Sequence, residues 1–554
     1  MKASHTDRRI TRRSILAAGA AAVAGCARTK ARNTGSAAAT DAVFHDVTAR
    51  AGIDYRWQVT GPRPLTILET IGNGCAFLDF DGDGLLDILL VGPEPALYRN
   101  LGGGRFADVS HETGIAALRG RFLGCAVGDY DNDGYPDIYL TGYRDGVLLH
   151  NEGGKRFADV SRAAGIPPQP WGSSAIFVDV TGNGSLDLYV GNYCRFGPNT
   201  MPQLCRQQGS MTACGPRYYQ PEKGRLYINR GGGRFADATA AWGAMAVSGK
   251  ALGIAAADYS GAGRQSLAIA NDEMPGDLLR NIGGAFRNDG AASGTAYDTL
   301  GQVHAGMGID WGDYDNDGRL DLLVTTFQHE PKNLYHNDGD GVFTDRSAPL
   351  GIAAATAPWV SFGCKLFDYD NDGWLDMVIC SGHISDNIAE IDPSTTYRQR
   401  SQLFHNEGGT AFREVRDQSG DGLERPIVGR GLAVGDYDND GRLDLLIVDS
   451  EGAPLLLHND LPTAGNWLLL HLEGRRSNRD GQGALVTFTT KSGRFLRNAT
   501  TGGSYMSASD PRVHCGLGRE TTADIAIIWP SGVRQKLAGV KANQILRVQE
   551  AAES

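Results

Sequence analysis

The run Asp313-Tyr-Asp315-Asn-Asp317-Gly318-Arg319-Leu-Asp321 places carboxylates at positions 1, 3, 5 and 9 and a glycine at position 6. Calcium takes about six to eight hard oxygen ligands, and alternating aspartates on a tight loop supply them. Gly318 lets the backbone turn inward, and Arg319 at position 7 offers its carbonyl oxygen. An EF-hand would need a Glu at position 12 followed by a helix. Position 12 is instead Val324, inside an apolar run over 320–326 that predicts a buried strand. The loop is therefore expected to join two strands.

Full copies start at Asp79 (Asp81, Asp83, Asp87), Asp129 (Asp131, Asp133, Asp137), Asp368 (Asp370, Asp372, Asp376) and Asp436 (Asp438, Asp440, Asp444). A weakened copy has Asp179, Thr181, Asn183 and Asp187; at Asp258 the other acids are replaced by Ser260, Ala262 and Ser266. Five complete loops on one strand–loop–strand background are not chance acidic turns, and they predict about five or six calcium sites.

Two further parts recur with each loop. One is a strand ending in Asn: Leu97-Tyr-Arg-Asn100, Leu148-Leu-His-Asn151, Leu226-Tyr-Ile-Asn229, Leu278-Leu-Arg-Asn281, Leu334-Tyr-His-Asn337, Leu403-Phe-His-Asn406 and Leu456-Leu-His-Asn459. The other follows a Gly-rich turn, as in Phe106-Ala-Asp108, Phe157-Ala-Asp159, Phe235-Ala-Asp237, Phe343-Thr-Asp345 and Phe412-Arg-Glu414. The seventh unit stops at Asn459 without that last strand, and a spare one, Phe44-His45-Asp46, precedes the first unit. Pairing the spare strand with the last unit closes a ring and removes exposed sheet edges. The pattern predicts an all-β fold: a seven-bladed β-propeller over 42–462 with calcium-binding loops, and a small β-sandwich domain over 463–554, where the repeat is lost and short strands continue.

The chain has 554 residues and a formal charge of −11. Without residues 1–25 it keeps 48 basic and 63 acidic groups, a balance of −15, which argues against a nucleic-acid partner. Residues 1–26 read as an export signal: Thr11-Arg12-Arg13-Ser14-Ile15-Leu16 is a twin-arginine pattern, and Val23-Ala24-Gly25-Cys26 resembles a bacterial lipobox that would lipidate Cys26. Residues 27–41 read as a flexible tether. The expectation is a periplasmic or cell-surface lipoprotein exported by the twin-arginine route, whose one link to membrane is that anchor. An insertion over about 194–224 reads as loop without strand character; it holds Cys194, Cys205 and Cys214, with Cys205 and Cys214 the disulfide candidate and the pairing open.

Along nearly the whole mature length the chain resembles proteins with FG-GAP/VCBS repeats, as in integrin alpha-subunit propellers, followed by an ASPIC/UnbV domain. The C-terminal likeness rests on Asn478-Arg-Asp-Gly-Gln-Gly-Ala484, Gly502-Gly-Ser-Tyr-Met-Ser507, Val513-His-Cys-Gly-Leu-Gly518, Trp529-Pro-Ser-Gly532 and Ala542-Asn-Gln544. The combination is similar to the cartilage acidic protein family. The resemblance implies calcium in the loops and leaves activity open, because propellers host both binding modules and enzymes.

Residues before each first strand and after each second strand are expected at the mouth opposite the loops, where varied side chains make a binding site. Of these, His304, His329, Glu330 and His383 could hold a transition metal. The histidine before the strand-ending Asn (His150, His336, His405, His458) reads as packing, because Ile228 fills the same place. No catalytic motif stands out. The leading expectation is a calcium-binding interaction module for a protein or glycan at the non-calcium face. The alternative is a metal-dependent enzyme, perhaps an oxidoreductase, using the four mouth residues and an additional transition metal.

Overall fold

The computed structural model of the chain describes residues 43–416 and 418–552. The export signal over 1–26, including Cys26, and the tether over 27–41 lie outside the described residues. The described chain is all-β apart from a few short helical turns.

Each repeat unit is an antiparallel meander. In the first, Cys75–Leu78, Asp87–Leu90, Ala96–Asn100 and Phe106–Asp108 pair in sequence order. In the last, Gly429–Gly435, Asp444–Asp449 and Leu455–Asn459 take Phe44–Asp46 as the outer strand, with Phe44 opposite Asn459. The expected end-to-end pairing is therefore present. The second and third units share one seven-stranded sheet, because the long strand Asp137–Asn151 also pairs with Gln169–Val178. The innermost strands of the seven units touch in cyclic order, each lying against the next and the last against the first. Side chains of neighbouring sheets interdigitate between them, as Leu78, Leu89 and Leu97 do with Phe122, Val127 and Ile138.

The recurring Asn explains how units join. Asn100 Nδ2 donates to Leu86 O within its own unit and, at 2.8 Å, to Tyr437 O in the last unit. Asn151 reaches Phe80 O, Asn229 reaches Tyr130 O and Asn281 reaches Val180 O. Asn337 reaches Tyr259 O, Asn406 reaches Tyr314 O and Asn459 reaches Tyr369 O. Each unit is thus tied to the loop of the unit before it, and the first to the last. Losing such an amide would strand a buried carbonyl at about 1–3 kcal/mol.

The C-terminal part forms two sheets around one apolar cluster that includes Leu468, Leu470, Phe488, Ile525 and Trp529. Two of its strands escape a sequence reading. Val513–Gly518 is one, and Arg534–Lys541 is the other, an edge strand whose exposed charged and apolar residues give no alternating signal. The insertion is also partly β: Leu204–Gln207 and Ser210–Ala213 pair across a Gln208–Gly209 turn, both residues at positive φ, as a two-residue hairpin turn requires. Cys205 and Cys214 are disulfide-bonded there, and Cys194 is a free, buried thiol.

The described residues form one compact unit, and the C-terminal part packs onto the ring. Residues 503–510 run through the ring of inner strands and hydrogen-bond to all seven. Gly503 N–H donates to Ile254 O, and Ser504 exchanges bonds with Ile309. Ser504 Oγ accepts from Cys364 N–H, and Met506 N–H donates to Ser174 Oγ. Cys125 N–H donates to Met506 O, Ser507 Oγ accepts from Cys75 N–H, and Ser509 Oγ accepts from Val434 N–H. Ser504 and Met506 both hold φ near +55°, at 58° and 54°. These conformations are costly outside glycine and persist because the surrounding strands over-determine them.

Candidate metal loops and the opposite mouth

In each complete loop the backbone arranges the carboxylates. Asp79 at position 1 accepts the N–H groups of Gly82, Asp83 and Gly84. Asp83 at position 5 accepts from Leu85, and Asp87 at position 9 accepts from Phe80 and Asn100. The loops at Asp129, Asp313, Asp368 and Asp436 repeat this position-1 grip. The position-3 carboxylate is least occupied: Oδ1 of Asp81, Asp370 and Asp438 is buried without a hydrogen-bond partner. Carboxylate oxygens of Asp79, Asp81 and Asp87 lie within 4.8 Å of one another. Burial pushes Asp129 and Asp436 up to about 8, and Asp376 and Asp444 up to about 7, and the repulsion of neighbouring carboxylates adds to each rise. A convergent, carboxylate-rich, highly anionic donor set with orphaned buried oxygens fits a hard divalent cation.

The incomplete loops keep the shape without the charge. Asp179 still accepts from Gly182 and Gly184, and Asp258 from Ala262 and Gly263. Thr181 donates its hydroxyl to Asp179, Asn183 caps Ser185, and Asp187 is pushed up to about 7 by burial.

The histidine before the recurring Asn does not simply pack. His150 Nδ1 lies 3.2 Å from Asp137 and 3.4 Å from Asp131. His336 meets Asp315 and Asp321, His405 meets Asp370 and Asp376, and His458 meets Asp438 and Asp444 in the same way. Arg99 takes that place in the first unit, 2.8 Å from Asp81. The side chain projects over the loop beside its own strand. Ile228, with a weakened loop and no position-3 acid, hid the relation in the sequence.

At the strand ends opposite the loops there is a 360 Å³ cavity. Its walls include Ile67, Leu252, Phe327 and Ile388, and the disulfide hairpin contributes Gln207, Ala213 and Cys214. Asp272, His329, Glu330 and His383 line this cavity together; His304 lines a separate, smaller pocket. Tyr505, carried through the ring from the C-terminal part, lines the cavity from within and donates its hydroxyl to Ile71 O at 2.8 Å.

His304 Nε2 lies 3.0 Å from Asp298 and its Nδ1 3.7 Å from Glu330. His383 is buried; its Nδ1 accepts the Ser385 N–H at 2.9 Å, so the neutral ring carries its proton on Nε2. Burial, with the Arg430 cation beside it, pushes His383 down to about 3. His329 is exposed and its Nε2 is 2.9 Å from Gln328. Arg430 is fully buried. Its guanidinium donates to the carbonyls of Thr70, Gly382, Gly429 and His383 and covers the Phe362 ring at 3.9 Å. It is a clamp holding two stretches of the cavity wall.

The residues that sequence reasoning missed are those of the axial segment. A signal was available: five residues before the first loop Asp stands Gly74, Gly124, Gly253, Gly308, Gly363 or Gly431, with Ser174 in the third unit. A Cβ on Gly74 would stand 1.8 Å from Met506 O.

Fold and loops together define an all-β repeat protein, a propeller closed by its own N-terminal strand and filled by its C-terminal part. Comparison with known proteins agrees. Residues 79–140 and 129–190 match the FG-GAP-like repeat, and 474–554 match ASPIC and UnbV. Cartilage acidic protein 1 of Mus musculus is 27% identical over 401 residues, covering 70% of this chain and 56% of that protein. The Homo sapiens protein is 26% identical over 401 residues, covering 70% and 55%. The chain carries FG-GAP-like repeats and a C-terminal ASPIC/UnbV domain, is homologous to cartilage acidic protein 1, and spans a little over half the length of these relatives. Among solved structures, an Agrocybe aegerita lectin that recognises non-reducing terminal N-acetylglucosamine is 17% identical with a TM-score of 0.41, covering 69% of this chain and 87% of its own. A Bacillus licheniformis rhamnogalacturonan lyase is 12% identical with a TM-score of 0.36, covering 73% and 76%.

Proposed function

We propose that the chain is an exported, lipid-anchored, calcium-stabilised interaction module that takes its protein or glycan partner at the mouth opposite the loops. The observation that carries this reading is the division of labour between the two ends of the strands. Loop residues repeat from unit to unit and converge on carboxylate clusters, four of them with a histidine alongside, whereas mouth residues differ from unit to unit and enclose a cavity of ligand size, 360 Å³. Calcium is structural in this reading: it neutralises carboxylates that the backbone already holds together. The twin-arginine and lipobox patterns support export and anchoring through Cys26. The enzyme reading is less well supported, because His383 has its Nδ1 engaged by a backbone N–H and His304 opens on a different pocket.

The test is elemental analysis of the mature protein purified without metal-binding tags or chelators. About five calcium ions per chain, one for each complete loop, and no stoichiometric transition metal are expected. Stoichiometric copper, iron, manganese or zinc would replace this reading with the enzyme.

A further inference from the structure

The mouth cavity has an unusual balance of polar groups. Four carboxylates line it, those of Asp272, Glu273, Glu330 and Asp392, against one guanidinium, Arg217. Three of the acids are held by internal hydrogen bonds. Glu330 accepts the N–H groups of Ala305 and Phe327, Asp392 accepts Ser394 and Gln328, and Glu273 accepts the Arg217 N–H. The Arg217 guanidinium lies over the Tyr218 ring at 5.5 Å rather than on a carboxylate.

Asp272 is different. It is buried, its Oδ2 accepts the Tyr193 hydroxyl, and burial pushes it up to about 7, with the Lys250 cation opposing that rise from beyond ion-pair distance. Gln328 is also buried, with 8% of its surface exposed. Its Nε2 donates to Asp392, which fixes the amide orientation and leaves Oε1 buried with no partner. Both residues line the one cavity, Asp272 with a carboxylate and Gln328 with a buried, unpaired carbonyl oxygen. The wall between them carries aromatic and aliphatic side chains, Phe327, Tyr505, Leu252 and Ile388 among them, beside polar Thr70, Gln207 and Ser385. Carboxylate and carbonyl acceptors among aromatic faces suit an organic cation, which draws on ion pairing and cation–π attraction together.

We propose that this cavity binds a protonated amine on an apolar stem, with the ammonium directed to Asp272 and Gln328. The proposal rests on the reading of the mouth as the ligand site and names the chemistry of its occupant. A free aromatic amine and a lysine side chain of a partner protein share that chemistry. An anionic ligand would meet four carboxylates, and an apolar neutral one would leave Gln328 Oε1 without a partner and Asp272 without a counter-charge.

The test is calorimetric titration of the full mature chain in calcium with matched probes: phenethylamine, 2-phenylethanol, 3-phenylpropionate and Nα-acetyl-lysine methylamide. An amine should bind at least tenfold more tightly than the alcohol and the carboxylate. Asp272→Asn should weaken it at least tenfold, and Gln328→Leu severalfold, each variant being checked for wild-type calcium-dependent melting. Preference for phenethylamine would point to a small molecule, and preference for the lysine derivative to a partner's side chain. Tighter binding of the alcohol or carboxylate overturns the cationic ligand while leaving the mouth as a ligand site. Binding of none of the four by a folded protein overturns both.

Discussion

The position-3 aspartate is where loop chemistry is most exposed to test. Positions 1, 5 and 9 are held by backbone N–H groups, so their removal would disturb the turn as well as any ion. Position 3 has little such duty; Oδ1 of Asp370 has no hydrogen bond at all. Asp315→Ala and Asp370→Ala should each lower the melting temperature in calcium and leave it nearly unchanged in chelator. A site held at about 100-fold its dissociation constant contributes about 2.7 kcal/mol. Ser260→Ala, at the same place in the loop that lacks the acids, should change neither value. Equal behaviour of all three variants in calcium melts would remove the distinction between complete and incomplete loops. A second residue-scale prediction concerns His383, whose native pKa of about 3 lies below its ordinary 6.5. A depressed histidine destabilises the fold as pH falls, because the unfolded chain takes a proton that the native chain refuses. The effect is absent above about pH 6.5 and grows towards pH 3. His383→Gln abolishes it, so urea unfolding should show the variant gaining about 2–3 kcal/mol on wild type between pH 7.5 and 4.5. A constant difference across that range would mean His383 does not titrate as its burial dictates.

At the scale of elements, the legible features were those that repeat locally. Asp patterns, Asn-ending strands and Phe-x-Asp strands each sit within one unit, so aligning units revealed them, and the spare strand at Phe44 gave the closure. The axial segment was not legible in that way. It belongs to no repeat, its partners lie up to about 430 residues away, as Cys75 does from Ser507, and its Ser-rich sequence resembles a loop. Its trace in the sequence is indirect: a glycine at one inner-strand position in six units and Ser174, a hydrogen-bond acceptor for Met506, in the seventh. The hairpin in the insertion was missed for a different reason. Its strands have four residues each, too few for an alternation to register. The glycine trace makes its own prediction. Gly74 does not need a positive φ, so Gly74→Ala brings only the steric conflict with the Met506 carbonyl. Overpacking of this kind costs about 1–3 kcal/mol, and a backbone obstacle puts it at the upper end. Urea unfolding should show that loss. A neutral result would mean the axial segment can withdraw from the first unit without consequence.

For the whole molecule, the axial segment joins two ends that would otherwise be independent. On the loop side the C-terminal part rests directly on three complete loops. Asp480 Oδ2 accepts the Asp129 N–H, Asp368 Oδ2 accepts the Gly516 N–H, and Arg512 donates to Asp436 O while pairing with Asp510 at 2.8 Å. From Asp510 the same chain runs back through the ring to Tyr505, whose ring meets Phe362 edge-on at 5.0 Å in the cavity wall. Filling the loops with calcium would fix the carboxylates on which the C-terminal part is seated, and so fix the wall against which a ligand packs. Linkage makes the effect reciprocal: whatever calcium adds to ligand affinity, ligand adds to calcium affinity. Coupling energies between such sites are typically about 1–3 kcal/mol, or about 5–150-fold in affinity. Phenethylamine titrated into chelated protein, at a temperature where circular dichroism shows it still folded, should bind at least fivefold more weakly than in calcium. Asp370→Ala should lose part of that difference, because it empties one seated loop, whereas Asp81→Ala, in a loop that the C-terminal part does not hold through a hydrogen bond, should lose less. Equal affinity with and without calcium would show that the cavity is set by the ring alone and that the axial segment is a strut between ends that do not communicate.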